Sequence, residues 1–146
     1  MRRVISVLAP AMCGLALLTL SARVGGQSQP VEPPPIPSGA TTLEGSPTVR
    51  VDTTVDGTKR RALTAKEANL NGLSIRVLNG RYFWTSRQDE ELTLTTSGEF
   101  TYLTTAKPGR YVRLRRINDR FTYVEHVDMD SGSVTYFGEL RIVLGK

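Results

Sequence analysis

The carboxyl-terminal third of the chain alternates apolar and polar residues, which is the side-chain pattern of β-strands. Three such runs lie within residues 110–144, separated by the tight-turn pairs Asn118-Asp119 and Ser131-Gly132. When the last two runs are folded about Ser131-Gly132, one face of the strand pair is apolar almost throughout. The exception is Glu125, which the pattern puts in the apolar row.

The same alternation continues upstream as far as Leu73, interrupted by further turn signals. Asn-Gly is the strongest short-range signal for a hairpin, and Pro-Gly fits the centre of a type II turn. The turns are Asn79-Gly80, Arg87-Gln88-Asp89, Ser97-Gly98 and Pro108-Gly109. Hairpins built on these turns place one apolar row across seven strands, each residue opposite the next. The row is Ile75, Trp84, Leu92, Leu103, Leu114, Tyr123 and Leu140.

This row predicts an all-β fold, because a slip of one residue in any hairpin would put a polar side chain into it. We expect an antiparallel up-and-down meander of about seven or eight strands, closed as a small barrel or folded as a two-layer sandwich. Residues 48–55 alternate valine with polar residues and predict an additional first strand, which would close the barrel form. Thr64 and Glu67 have the spacing of a capping box, so one short helix over residues 65–70 precedes the meander.

The amino terminus has the pattern of a secretory signal peptide over residues 1–26. Arg2 and Arg3 precede an uncharged apolar run, and small residues follow it before Gln27. The sequence therefore predicts a secreted or periplasmic protein. The alternative is that the segment stays uncleaved as an anchor, which would be the only membrane association we expect.

A proline-rich segment over residues 27–47 follows the predicted signal. Consecutive prolines favour extended polyproline conformation and cannot contribute to a packed core. We therefore predict a disordered linker there, and a single β domain over residues 48–146.

The basic composition of the chain belongs partly to the export signal. Removing Arg2, Arg3 and Arg23 lowers the basic residues from 19 to 16 against 14 acidic ones, so the net charge falls from +5 to +2. This small charge does not favour a nucleic-acid partner. Cys13, the single cysteine, lies in the same segment, so the mature chain is expected to have no disulfide and no cysteine-ligated metal.

One candidate site lies on the apolar side of the sheet. The predicted register puts Glu125 opposite Gly138, where a carboxylate has room to stand inside a ligand cavity. The candidate partners of this carboxylate are Arg113, Arg116 and Tyr136. The alternatives to a ligand site are a structural ion pair and a β-bulge that turns the carboxylate outward. The predicted ligand-binding residues are Glu125, Tyr82, Trp84, Tyr123 and Tyr136.

A second candidate site lies on the opposite side of the sheet, where aromatic residues alternate with arginines. Such a surface can stack planar groups and bind anions. The register aligns Tyr111, His126 and Phe137. The alternative is a solvated sheet face with ordinary cross-strand pairs, among them Arg113 between Glu91 and Glu139 in the next row. The predicted partner surface is Tyr111, His126, Phe137, Arg113, Arg115, Tyr102 and Arg141.

The sequence does not predict a catalytic or metal site. His126, Asp128 and Asp130 suggest part of a calcium loop, but the bidentate glutamate at the usual spacing is missing. Glu125 and His126 are adjacent and point to opposite faces, so they make a poor acid–base pair. We therefore expect no cofactor, and a non-catalytic binding or interaction module for a small ligand or an anionic, glycan or protein partner of the cell envelope. The alternatives are a structural envelope component and a small hydrolytic enzyme using Glu125.

Overall fold

The computed structural model describes residues 36–145, so the predicted signal peptide and residues 27–35 of the predicted linker lie outside the described residues. The strands within this range are β1 (Ala40–Thr54), β2 (Gly57–Ala62), β3 (Leu73–Leu78), β4 (Arg81–Trp84), β5 (Glu90–Ser97), β6 (Phe100–Thr104), β7 (Arg110–Ile117), β8 (Arg120–Met129) and β9 (Gly132–Leu144). One helix, α1 (Ala65–Leu70), precedes β3, and a 3-10 turn over Thr85–Arg87 joins β4 to β5. No helix in this part of the chain is long and apolar enough to cross a membrane.

The strands form a closed antiparallel barrel. From β3 to β9 each strand pairs with the next, and β1 pairs with both β3 and β9, which closes eight strands into a ring. The remaining strand, β2, pairs with the second half of β1. The structure thus confirms the all-β meander with one short helix before it, and decides for the barrel over the sandwich. Closure removes the sheet edges that an open meander would expose.

The first strand of the barrel begins earlier than the sequence pattern indicates. Thr48, the predicted start of the domain, lies in the middle of β1, and the predicted linker residues from Ala40 to Pro47 pair with β9. Leu43 and Pro47 are buried in the core. The register of β1 against β9 shifts by one after Pro47, as expected where a residue without a backbone N–H enters a ladder.

The apolar row predicted from the alternation is the interior of the barrel, and all seven of its residues are buried. Its exact pairing is different, however. Ile75 does face Trp84 and Leu114 does face Tyr123, but the other four of the six hairpins are shifted by two residues. A shift of two keeps every side chain on its predicted face, because side chains alternate with period two.

Helix α1 is capped at its amino terminus and hydrogen-bonded to the barrel at its carboxyl-terminal end. The predicted capping box is present: Glu67 N–H donates to the Thr64 hydroxyl, and the Glu67 carboxylate accepts from Thr64 N–H at 2.9 Å. At the other terminus, Asn71 accepts a 2.8 Å hydrogen bond from the Tyr136 hydroxyl of β9. Since Glu125 is the cross-strand neighbour of Tyr136, this end of the barrel holds one candidate site.

Candidate functional site

Glu125 projects into the barrel and has 0% exposed surface. It lies opposite Tyr136 of β9; Gly138, predicted to face it, lies opposite Tyr123. The carboxylate accepts a 2.6 Å hydrogen bond at Oε1 from the guanidinium of Arg87. The alternative of an outward-turned glutamate is therefore wrong, and the ion-pair alternative holds with a different arginine from those considered.

The environment of Glu125 disfavours its charged form. Burial raises the pKa of Glu125 to about 7, and the Arg87 guanidinium offsets only part of that effect. Burial, reinforced by the nearby Glu125 carboxylate, also raises the pKa of the Tyr123 phenol. The end of the barrel therefore holds a carboxyl group that titrates near neutral pH.

Several polar atoms inside the barrel have no hydrogen-bond partner among the described residues. They are Trp84 Nε1, Thr101 Oγ1, Tyr123 OH and Glu125 Oε2. Leaving such an atom unpaired in a protein interior costs about 1–3 kcal/mol. The described part of the barrel interior therefore has hydrogen-bond donors and acceptors that other protein groups leave unpaired.

Four of the five predicted ligand-binding residues lie inside the barrel, and the fifth, Tyr82, is only half-buried. Tyr123, Glu125 and Tyr136 project inward from neighbouring positions on β8 and β9, and the Trp84 ring lies 5.9 Å from the Arg87 guanidinium carbon. Tyr82 is half-buried and packs against the edge of the core. Arg87 and Thr101 were missed. The alternation within β6 pointed to Thr101, two residues from buried Leu103, whereas no local pattern marks Arg87.

The outer surface of β6, β7 and β8 carries a continuous row of four aromatic rings, here called the aromatic row. Neighbouring ring centroids are 6.4 Å apart from Phe100 to Tyr102 and 6.4 Å from Tyr102 to Tyr111. Tyr111 then stacks on His126 at 5.1 Å with an interplanar angle of 24°. Phe100 was not predicted, although its parity with Tyr102 on the same strand puts both on one face.

Arg113 and Arg115 of β7 cover the start of the aromatic row. Their guanidinium carbons lie 4.8 Å and 5.6 Å from the centre of the Phe100 ring, within the range of cation–π attraction. Arg115 also forms an ion pair with Glu99 at 2.9 Å. Arg113 has no carboxylate partner within residues 36–145, so its charge is free to bind an anion.

Two predicted members of the partner surface lie elsewhere. Phe137 faces Val124, and Thr135 takes its place beside His126. Arg141 forms an ion pair with Glu44 of β1, away from the aromatic row. The two-residue shift between β8 and β9 causes the first displacement, since outward residues exchange neighbours along the strand while staying on the same face.

The expected pairing of Arg113 with two glutamates does not form. Its cross-strand neighbours are Tyr102 and Val124, because the hairpins between β4 and β7 are also shifted. The outer face therefore lacks the compensating carboxylates that would make Arg113 an ordinary solvated residue.

His126 is held between two polar side chains. Its Nδ1 is hydrogen-bonded to the Thr135 hydroxyl at 2.8 Å, and its Nε2 to the Asp128 carboxylate at 3.0 Å. Such a hydroxyl–imidazole–carboxylate chain recurs in hydrolases, but those sites also need free donors for an oxyanion. Here β8 and β9 are each paired on both sides, so their backbone N–H groups are engaged. The two hydrogen bonds with Thr135 and Asp128 fix the imidazole plane of His126 against Tyr111.

A groove of about 540 Å³ lies at the turn between β7 and β8, and none of the predicted ligand residues lines it. Its walls are Ile117, Asn118, Asp119, Arg120, Thr122 and Glu139. Within the described residues, no group of three or more His, Cys, Asp or Glu side chains is placed to hold a metal ion.

Comparisons with known protein families, with characterised proteins and with solved structures find no match to this chain.

Proposed function

We propose that this chain is an exported, non-catalytic interaction module that binds an acidic polysaccharide along the aromatic row. The observation that carries the proposal is the row itself, with Arg113 above it and no carboxylate partner for that arginine within residues 36–145. The export pattern of residues 1–26 supports placing such a module outside the cytoplasm.

The chemistry of the row favours a sugar polymer. Aromatic faces carry negative quadrupole potential, so the C–H groups of a sugar ring pack favourably on them. A guanidinium binds carboxylate or phosphate groups in a planar two-point geometry. Because Tyr102 and Tyr111 follow Phe100 along the row, successive sugar units could contact these two tyrosines while Arg113, which lies over Phe100, takes an acidic substituent.

The fixed geometry of the row also supports binding. His126 is oriented by Thr135 and Asp128, and Tyr111 stacks on His126. Side chains that are already ordered lose less conformational entropy when a partner binds. The separation of Glu125 inside the barrel from His126 outside supports a non-catalytic role, since neither carboxyl nor imidazole can assist the other.

The test compares two double variants on an acidic polysaccharide, polygalacturonate, and on neutral dextran. Tyr111→Ala with Arg113→Ala removes the centre of the aromatic row and its unpaired charge. We expect at least tenfold weaker binding to polygalacturonate, with unchanged thermal stability. Dextran should bind weakly to all forms.

The matched control is Phe83→Ala with Arg76→Ala, which deletes the same kinds of side chain elsewhere on the barrel. Arg76 also lies over an aromatic ring, 5.5 Å from the centre of Phe83, but its charge is paired with Asp89. This variant should bind polygalacturonate as the wild type does. Undiminished binding by the Tyr111/Arg113 variant, or absence of binding by the wild type, contradicts the proposal.

A further inference from the structure

Arg87 connects the solvent to the interior of the barrel at the end where α1 lies. It terminates the 3-10 turn between β4 and β5, and the next two residues, Gln88 and Asp89, both have positive φ, at 63° and 56°. Its side chain is 30% exposed, whereas that of Glu125, which it contacts, is 0% exposed. The guanidinium thus occupies the mouth of the barrel from a turn rather than from a strand.

The surroundings of the guanidinium are those of a site for an organic cation. On one side is the Glu125 carboxylate at 2.6 Å, and on another the Trp84 ring at 5.9 Å. A carboxylate in a low-dielectric interior together with an indole face forms the combination that binds guanidinium and ammonium groups most strongly.

Arg87 makes only one hydrogen bond to the Glu125 carboxylate. A guanidinium can donate two parallel hydrogen bonds to one carboxylate. Arg87 donates only Nη2 to Oε1, while its Nη1 is directed to the carbonyl of Ser86 at 3.1 Å. Glu125 Oε2 remains buried without a partner, and so does the Tyr123 hydroxyl.

We propose that the mouth of the barrel is a second binding site, which takes an alkylguanidinium group in place of Arg87. The incoming group donates to both oxygens of Glu125 and lies against Trp84, and the Arg87 side chain moves into the solvent that it already partly meets. The ligand has the dimensions of the side chain it displaces. It is either a free small cation or an arginine side chain of a polypeptide. This site is independent of the aromatic row.

Trp84 is the sole tryptophan of the chain, so its fluorescence reports on the site alone. The purified full-length chain is titrated with N-propylguanidinium at millimolar concentrations, with N-propylurea as the uncharged analogue of the same shape. We expect a saturable change in tryptophan emission with the cation and none with the urea. Arg87→Met, which keeps the length of the stem, should bind the cation at least tenfold more tightly because its internal competitor is gone.

Two further variants isolate the groups responsible. Glu125→Gln should abolish the saturable response in both the wild-type and the Arg87→Met backgrounds. Arg81→Met is the matched control: Arg81 also pairs with a carboxylate, Glu91, and lies 5.2 Å from an aromatic ring centre, but on the outer surface. It should respond as the wild type does.

A peptide of sequence acetyl-Gly-Arg-Gly-amide that binds as tightly as N-propylguanidinium assigns the site to an arginine side chain, and exclusion of the peptide assigns it to a free cation. Absence of a saturable response in both wild type and Arg87→Met overturns the proposal, as does a response that Glu125→Gln leaves intact. If circular dichroism shows Arg87→Met to be unfolded, the comparison of wild type with Glu125→Gln decides alone.

Discussion

The guanidinium of Arg87 and the carboxylate of Glu125 are 38 residues apart in the chain and are joined by a 2.6 Å hydrogen bond. One partner is enclosed in the barrel and the other stands at its mouth. Such an arrangement keeps a buried carboxyl group in contact with a charge that solvent can reach. Its consequences for stability can be measured.

The pKa of Glu125 makes the stability of the fold depend on pH. Burial raises this pKa from 4.5 to about 7 in the folded protein, so the folded state binds the proton more tightly than the unfolded state does. The resulting stabilisation is complete below about pH 4.5 and is lost as pH rises toward 7. By linkage it amounts to about 3 kcal/mol. Urea unfolding between pH 4.5 and 8 should show this decline in the wild type.

Glu125→Gln should flatten the profile over that range, because an amide does not titrate. Glu67 supplies a control of opposite sign: hydrogen bonds from Thr64 and Arg61 lower its pKa to about 2. The stability that it contributes is present above about pH 4.5 and is lost as pH falls toward 2. Glu67→Gln should therefore change only the acidic side, and parallel profiles for wild type and Glu125→Gln would refute the assignment.

Removing one member of the Arg87–Glu125 pair should cost more than removing both. Arg87→Met leaves a buried carboxylate without its charged partner, and we expect a loss of about 3 kcal/mol at pH 8. Combining it with Glu125→Leu replaces the pair by apolar groups of similar volume, and the double variant should lie within about 1 kcal/mol of the wild type. Chemical denaturation of the four proteins completes the cycle; additive losses would contradict the coupling.

Gly138 is required by the close approach of β1 to β9. A Cβ at this position would lie 2.2 Å from the carbonyl oxygen of Ser46, which belongs to the backbone and cannot turn away. Gly138→Ala should destabilise the barrel by about 1–3 kcal/mol. Gly72→Ala is the control, since its nearest contact would be an ordinary 3.5 Å. Equal thermal unfolding midpoints for the two variants would count against this reading.

The Tyr136 hydroxyl ties α1 to the barrel. It donates to Asn71 at 2.8 Å and accepts from the Arg50 guanidinium at 3.3 Å. Tyr136→Phe should cost about 1–2 kcal/mol and speed amide hydrogen exchange in α1, because the helix is otherwise held by its capping box, the Arg61–Glu67 ion pair to β2 and little packing. Tyr82→Phe is the control, since the Tyr82 hydroxyl makes no hydrogen bond within residues 36–145. Unchanged exchange in α1 would show that the tether is unimportant.

Local chemistry was sufficient for the seven strands of the meander, for the helix before it and for the inner faces of those strands. The Thr64–Glu67 spacing marked α1, Asn79-Gly80 marked a hairpin, and the alternation identified Trp84 and Tyr123 as interior residues. These features depend on neighbours within a few positions, so they can be read from the sequence. The same alternation places Phe100 beside Tyr102, which shows that part of the aromatic row was accessible in this way.

The exact neighbours were decided by the tertiary structure. A hairpin shifted by two residues keeps its apolar face, so the pattern cannot distinguish the predicted contact of Tyr123 with Leu140 from the observed contact with Gly138. The start of β1 was hidden because Pro47 and the small residues around it lack the composition of a strand, and only pairing with the last strand makes them one.

The sequence by itself determined an all-β meander, its short helix and the side of the sheet on which each candidate residue lies, because these follow from side-chain periodicity and turn geometry. Only the tertiary structure decided that the sheet closes as a barrel rather than a sandwich, that Arg113 lacks a carboxylate partner within residues 36–145, and that Arg87 reaches Glu125. Those relationships depend on how strands distant in the chain align, and period-two alternation carries no information on that alignment beyond the choice of face.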